Sequence, residues 1–302
     1  MQFQSTMRSP GHLRHLPRAL TLSESGRNLA RNKCRHPVMS FPFYLHLGSV
    51  RLHPHLVFES LAYVVAFRVY VWLRKQMGDA IADANRWWVI AAAAVGAVLG
   101  SKLLYWFEDP RLTLANWNDP SFLMSGKTIV GALIGGLLAV EWTKRRIGVV
   151  QRTGDLFAIP LCIGIAIGRI GCFLTGLEDH TVGSATSLPW AVNFGDGVPR
   201  HPTQIYEIIF VLALAVLLWS VSRQPFPNGD LFKIFMVGYF SFRLAIDFLK
   251  PDVRVFLRLS SIQWACVAML LYYSPDLHRW CRVAMAPASS AAASLSQSEE
   301  TS

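Results

Sequence analysis

Apolar residues in this chain are concentrated in long runs, separated by short polar connections rich in basic residues, Gly and Pro. Most of these runs are long enough to cross a bilayer as helices. Lipid offers no hydrogen bonds to exposed backbone, and the ten-residue alternation of membrane strands is absent, so helices are predicted. The expected fold class is all-α, a polytopic membrane protein with seven transmembrane helices in one bundle. The seven runs are 56–73, 87–107, 129–142, 156–176, 205–221, 231–249 and 257–273.

Composition supports the membrane class. Of 302 residues, 52% are hydrophobic and 16% are charged, compared with a charged share of about 25% in soluble domains. The formal charge is +10, but residues 1–38 hold seven basic side chains against one acidic, or +6 of that total. Because the excess charge lies in this segment, no nucleic-acid partner is predicted. The segment lacks the apolar core of a secretory signal, so we expect a disordered basic tail or a true start at Met39.

Domain organisation and orientation follow from the polar segments. Residues 39–275 are expected to form the seven-helix membrane domain, and the Ser/Ala-rich residues 276–302 a disordered cytoplasmic tail. Basic connections such as 144–146 indicate the cytoplasmic side. Seven spans then place the N-terminus outside and the C-terminus inside. Small residues at 131, 132, 135 and 136 predict close helix packing in the third run.

Four basic residues, Arg68, Lys102, Arg169 and Arg243, lie well inside the apolar runs rather than at their ends. A charge at mid-membrane costs about 2.5–3.5 kcal/mol on insertion scales, so Arg169 and Arg243 are predicted to be functional. Asp247 follows Arg243 by four residues and is expected to pair with it. The remaining positive charge favours an anion, and a lipid phosphate is the abundant one in a bilayer. Lys102 and Arg68 either share this role or extend to the interface.

Polar residues next to the fourth and fifth runs supply groups for acid–base chemistry and lipid binding. Each also has a structural interpretation, as a solvated loop residue or as part of a helix cap. The five cysteines show no CxxC spacing, so neither a metal site nor a disulfide framework is predicted. His53 and His55 indicate an interfacial loop rather than a metal site. The candidate catalytic residues are Glu59, Glu178, Asp179, His180 and His201, and the candidate lipid-binding residues are Lys102, Arg169, Tyr206, Glu207 and Arg243.

Three motifs carry a family resemblance. They are Gly-Arg-Ile-Gly-Cys-Phe at 168–173, His-Pro-Thr-Gln-Ile-Tyr-Glu at 201–207, and Tyr-Phe-Ser-Phe-Arg at 239–243. Together with the glycine-rich third run, they resemble the bacterial prolipoprotein diacylglyceryl transferases, in order from about residue 56 to 273. The 201–207 motif is fairly specific for that family.

The resemblance implies a membrane enzyme that moves a diacylglyceryl group from phosphatidylglycerol to a cysteine thiol of a prolipoprotein, releasing glycerol phosphate. It implies a location in the bacterial inner membrane and contact with a lipobox segment and membrane lipids. No cofactor is implied. Arg169 and Arg243 would hold the lipid phosphate and stabilise charge on the leaving group, and the thiol would attack as its thiolate.

Several positions depart from the family pattern. Val130 stands where the family has a histidine, Cys172 and Thr175 replace two asparagines, and Glu59 replaces a tyrosine. These changes indicate a divergent member. Proton transfer would then fall to Glu59, Glu178, Asp179 or His180. Otherwise the acceptor is not a lipoprotein cysteine, or the chain binds lipid without catalysis.

Overall fold

The computed structural model describes residues 41–223, 227–251 and 253–285, which are mostly helical. Two short antiparallel hairpins precede α1 and α7. Residues 1–38 and 286–302 lie outside the described residues. In chain order the elements are β1 Leu45–Leu47, β2 Val50–Leu52, α1 Pro54–Met77, α2 Asp83–Glu108, α3 Pro110–Ala115, α4 Pro120–Met124, α5 Ile129–Arg146, α6 Asp155–Thr175, β3 Val192–Asn193, β4 Pro199–Arg200, α7 Thr203–Ser222, α8 Asp230–Ile246, α9 Ser261–Tyr272 and α10 Ser274–Met285.

Each of the seven apolar runs contains a helix, which confirms the helical class. Among the described residues, four helices are long and apolar enough to cross a membrane: α1, α2, α6 with its 3-10 extension to Asp179, and α7. Helices α5, α8 and α9 occupy the other three runs. Helix α9 has 12 residues, or about 18 Å at 1.5 Å per residue, shorter than a hydrocarbon core of about 30 Å. The count of seven spans therefore remains a prediction.

Helix α6 is the centre of the bundle, because α1, α7 and α8 all pack against it. Its buried residues include the consecutive Ala158, Ile159 and Pro160, which point in different directions around the helix, as expected for a helix that is apolar all round. Helix α8 adds Phe235 and Met236 to the same core. The predicted intramembrane arginine of α6 therefore lies among packed helices.

The glycines of the third run pack as expected. Gly131 and Gly135 of α5 face Gly100 and Gly96 of α2, and a Cβ added to any of these would collide with the opposite backbone. Only glycine allows two helices to approach this closely.

The expected disordered tail is wrong for residues 276–285, which belong to α10. Charged pairs hold this helix against α8. Lys233 Nζ donates to Asp276 Oδ1 at 2.5 Å, and Arg279 Nη2 donates to the buried Asp230 Oδ2 at 2.5 Å. The polar composition of this segment therefore reflects a surface helix.

The buried Arg86 links connections that their basic residues predict to lie on the cytoplasmic side. Arg86 is 1% exposed, with Nε 2.9 Å from Asp79 Oδ2 and Nη1 donating to the Thr153 carbonyl at 3.2 Å. Arg74 Nε donates to the same carboxylate at 2.6 Å. Burial raises the pKa of Asp79, but hydrogen bonds and charge from Arg86 and Arg74 outweigh it and hold the pKa below its ordinary value. This cluster links α1, α2 and the segment before α6.

Candidate active site

A buried carboxylate lies between the two predicted arginines. Arg169 of α6 is 7% exposed, Glu207 of α7 is 2% exposed and Arg243 of α8 is 3% exposed. Glu207 Oε2 lies 2.8 Å from Arg169 Nε and 3.6 Å from Arg243 Nη1. Tyr239 donates its hydroxyl to Glu207 Oε1 at 2.7 Å. The two guanidinium groups are therefore partly neutralised by one shared carboxylate. From the sequence, Glu207 was expected to bind the lipid instead.

The arginines still have donors without acceptors. Among the described residues, Arg169 Nε, Arg243 Nε and Arg243 Nη1 are buried and make no hydrogen bond. Arg169 Nε is nevertheless paired by charge with Glu207 Oε2 at 2.8 Å, so the donors of Arg243 are the least satisfied. The expected pair of Arg243 with Asp247 is confirmed, with Nη2 3.4 Å from Oδ1. Buried donors are nearly always paired, so these groups are chemically able to hold an anion with several oxygens.

A second polar cluster surrounds His55 in the first turn of α1. Its Nδ1 lies 3.0 Å from Asp179 Oδ1 and 3.9 Å from Cys172 Sγ, and its Nε2 lies 3.5 Å from Glu59 Oε2. Helix α1 starts at Pro54 with His53 as its N-cap residue, so the expected interfacial loop is wrong for His55, which lies in the helix. Among the described residues, His55, Cys172 and Asp179 are the group whose ligand atoms could jointly contact one metal ion.

The two clusters are continuous. Arg169 Nη1 donates to Cys172 Sγ at 3.6 Å, one helical turn further along α6. A chain of contacts therefore runs from His55 through Cys172 and Arg169 to Glu207 and Arg243. Thiol, imidazole and carboxylate groups lie on one side, and guanidinium donors on the other.

Close packing and a turn place the His55 cluster. A Cβ on Gly171 would lie 2.8 Å from Phe58 Cβ and 3.3 Å from His55 Cα, so glycine lets α1 approach α6 at this level. The 3-10 turn after α6 returns Asp179 towards the helix. Thr181 Oγ1 then donates to Asp179 Oδ2 at 2.5 Å.

The family model for prolipoprotein diacylglyceryl transferase matches residues 42–274. The chain belongs to this family. Curated relatives named phosphatidylglycerol–prolipoprotein diacylglyceryl transferase include one from Methylobacillus flagellatus, 31% identical over 258 residues, 78% of this chain and 94% of the relative. Others come from Polynucleobacter asymbioticus, 32% identical over 256 residues, with 78% and 94% coverage, and from Bordetella avium, 32% identical over 247 residues, with 76% and 90% coverage. The resemblance based on the motifs is confirmed.

The departures from the family pattern fall in two environments. Val130 is 1% exposed and packs in the apolar core, and Thr175 donates to the Gly171 carbonyl at 2.8 Å. Cys172 and Glu59, in contrast, both contact His55. These two replaced positions therefore meet at a single histidine.

The remaining candidate residues have contacts other than those of the two clusters. Lys102 donates to the carbonyls of Ser125 and Gly126 at 2.9 and 2.7 Å, in the connection before α5. His201 Nδ1 lies 3.2 Å from the Tyr206 hydroxyl, which also accepts from a tryptophan. Glu178 lies 3.7 Å from His53, and His180 is exposed with a left-handed backbone. Of the ten candidate residues, five belong to the two connected clusters: Glu59, Asp179, Arg169, Glu207 and Arg243.

Sequence reasoning missed His55, Cys172 and Tyr239 as members of the site. The i,i+4 spacing of His55 and Glu59 was a usable signal, since such residues share a helix face. Tyr239 likewise precedes Arg243 by four residues. Cys172 was noted only as a departure, because its partner is 117 residues away.

Proposed function

We propose that this chain is a bacterial inner-membrane transferase that moves the diacylglyceryl group of phosphatidylglycerol to the thiol of a prolipoprotein cysteine. Family membership supports the reaction, and the buried guanidinium donors without acceptors are the observation that carries it. The proposal includes seven membrane-crossing helices in residues 39–275, an outside N-terminus and a cytoplasmic C-terminus.

The lipid phosphate binds Arg169 and Arg243. Arg243 Nε and Nη1, which make no hydrogen bond among the described residues, supply charge-assisted hydrogen bonds to phosphate oxygens, and Arg169 adds positive charge. Glu207 and Tyr239 fix the guanidinium groups before substrate arrives, so little reorganisation accompanies the reaction. As the glyceryl C–O bond breaks, negative charge grows on the phosphate oxygen and is stabilised by the same donors.

The acceptor thiol is placed beside His55. Attack requires a thiolate, and the adjoining carboxylates Asp179 and Glu59 can accept the thiol proton. The sulfur forms a bond to the glyceryl carbon, and glycerol phosphate leaves with the bonding pair. This cluster does the work of the family histidine that Val130 replaces. Glu178, His180 and His201 remain candidates for guiding the lipobox segment and headgroup at the outer edge.

A different acceptor is the second candidate, favoured by Cys172 and Val130. Expression in a cell depleted of its own transferase distinguishes the two. We expect growth and lipoprotein modification to be restored by the wild type and by Arg145→Lys, which alters an exposed basic residue of α5. Arg243→Gln should fail at equal expression. Failure of the wild type would contradict lipoprotein modification, and lipid profiling of the same cells would then report another product.

A further inference from the structure

We propose that His55, Cys172 and Asp179 form a zinc site that binds the acceptor thiol. The three candidate ligand atoms come from α1, from α6 and from the 3-10 turn after it, and all lie within 4.8 Å of one another. Metal binding itself does not depend on the proposed function, whereas the thiol role does.

The distances approach those of a tetrahedral zinc site. With zinc bonds of about 2.0–2.3 Å, ligand N and O atoms lie about 3.3 Å apart and S and N atoms about 3.6 Å apart. The corresponding separations here are 3.0 Å from His55 Nδ1 to Asp179 Oδ1 and 3.9 Å from His55 Nδ1 to Cys172 Sγ. The third separation, between Asp179 and Cys172 Sγ, is at most 4.8 Å, so side-chain rotation has to draw the sulfur closer to the other two atoms.

The surrounding contacts fit a metal site. With Nδ1 directed at the ion, His55 Nε2 faces Glu59 at 3.5 Å, the carboxylate–histidine arrangement that orients metal ligands. Asp179 is hydrogen-bonded through its other oxygen by Thr181. Arg169 donates to Cys172 Sγ and so holds the third ligand atom in place.

The ligand set favours zinc and leaves one position open. Thiolate and imidazole ligands disfavour Mg²⁺ and Ca²⁺, which prefer oxygen. Glu59 lies beyond the far edge of the imidazole ring, so it is not a fourth ligand to an ion at Nδ1. Three protein ligands with a free fourth position are typical of catalytic zinc.

An acceptor thiol fits the open position. On coordination the thiol releases its proton to solvent and becomes a bound thiolate. Its sulfur then forms the bond to the glyceryl carbon while the C–O bond to phosphate breaks. The electron pair leaves on the phosphate oxygen beside Arg169, and no redox change occurs. With zinc bound, the metal activates the thiol in place of the carboxylates of the cluster, since Asp179 is then a ligand and Val130 is not a base.

Metal content is the direct test. The full-length chain, purified in detergent micelles and incubated with Zn²⁺ and then desalted, should retain about one zinc per chain by mass spectrometry of the metal. Replacement by Co²⁺ should give a near-ultraviolet thiolate-to-metal absorption band. Cys172→Ser should abolish the band, whereas Cys162→Ser and Cys266→Ser, which alter buried cysteines elsewhere, should keep it.

Two more variants separate binding from misfolding. Cys172→Asn introduces the residue of the family pattern and should stay folded, as judged by its thermal unfolding, while losing zinc. Glu59→Gln should weaken zinc affinity by about 10- to 100-fold, as for other outer carboxylates. Absence of zinc from the folded wild type, or an unchanged cobalt band in Cys172→Ser, would overturn the site.

Activity is measured separately on the same samples. If transfer to a cysteine peptide persists after chelation has removed the zinc, the thiol role is overturned while the proposed function stands. If zinc binds through Cys172 but no transfer occurs, the metal site stands and the proposed function fails.

Discussion

Replacement of Arg243 by lysine tests the lipid-binding half of the site. Arg243 Nε and Nη1 are buried donors without acceptors among the described residues, and each charge-assisted hydrogen bond is worth about 1.5–3 kcal/mol. Lysine keeps the charge but not the planar arrangement of donors. Loss of one such bond in the transition state predicts a fall in kcat/KM of roughly 10- to 150-fold.

The assay measures the initial rate of diacylglyceryl transfer at several phosphatidylglycerol concentrations. Arg86→Lys is the matched control, since Arg86 is equally buried but contacts Asp79 and the Thr153 carbonyl outside the site. It should reduce thermal stability and leave the rate per folded molecule unchanged. A kcat/KM for Arg243→Lys within about 3-fold of the wild type would refute the assignment of these donors to the phosphate.

Three further changes probe stability. Glu207→Gln removes the carboxylate shared by two buried guanidinium groups and should lower the free energy of unfolding in micelles by about 3–5 kcal/mol; an unchanged denaturation midpoint would contradict the shared pairing. Gly100→Leu should sharply lower the melting temperature by separating α2 from α5. Gly168→Ala should not lower it, because a Cβ there meets nothing within 4 Å. Equal effects of the two variants would contradict the close contact between α2 and α5. Because the pKa of Asp79 is held below 3.8, its stabilisation is present above about pH 4 and lost as the pH falls through the lowered pKa. Arg86→Ala should therefore lower the melting temperature more at pH 7 than at pH 3, and an equal loss at both would contradict the ion pair.

The helices could be predicted from local pattern because each apolar run is longer than a turn or strand requires. The predicted ends of the helices were less accurate than their positions. Helix α5 continues through the basic residues to Arg146, since lysine and arginine are favourable near a helix C-terminus. Helix α10 was missed because its polar composition was taken for disorder, although its charges pair with Asp230 and Lys233 of α8.

The site could be predicted only in part. An intramembrane arginine is costly wherever it lies, so Arg169 and Arg243 were identifiable without coordinates. The meeting of His55 with Cys172 depends on how α1 and α6 cross at Gly171, and no local pattern encodes that crossing. The partner shared by the two arginines was likewise hidden, because Glu207 at a helix start has an adequate explanation in the helix dipole.

Mass spectrometry of the acceptor tests the central claim most directly. The purified chain is incubated with phosphatidylglycerol of one acyl composition and a lipobox peptide containing a single cysteine, with a serine peptide as control. The account predicts that the cysteine peptide gains one diacylglyceryl group through sulfur, with equimolar release of glycerol phosphate, and that the serine peptide is unchanged. A cysteine peptide of unaltered mass beside active wild-type protein from one of the named relatives would contradict it.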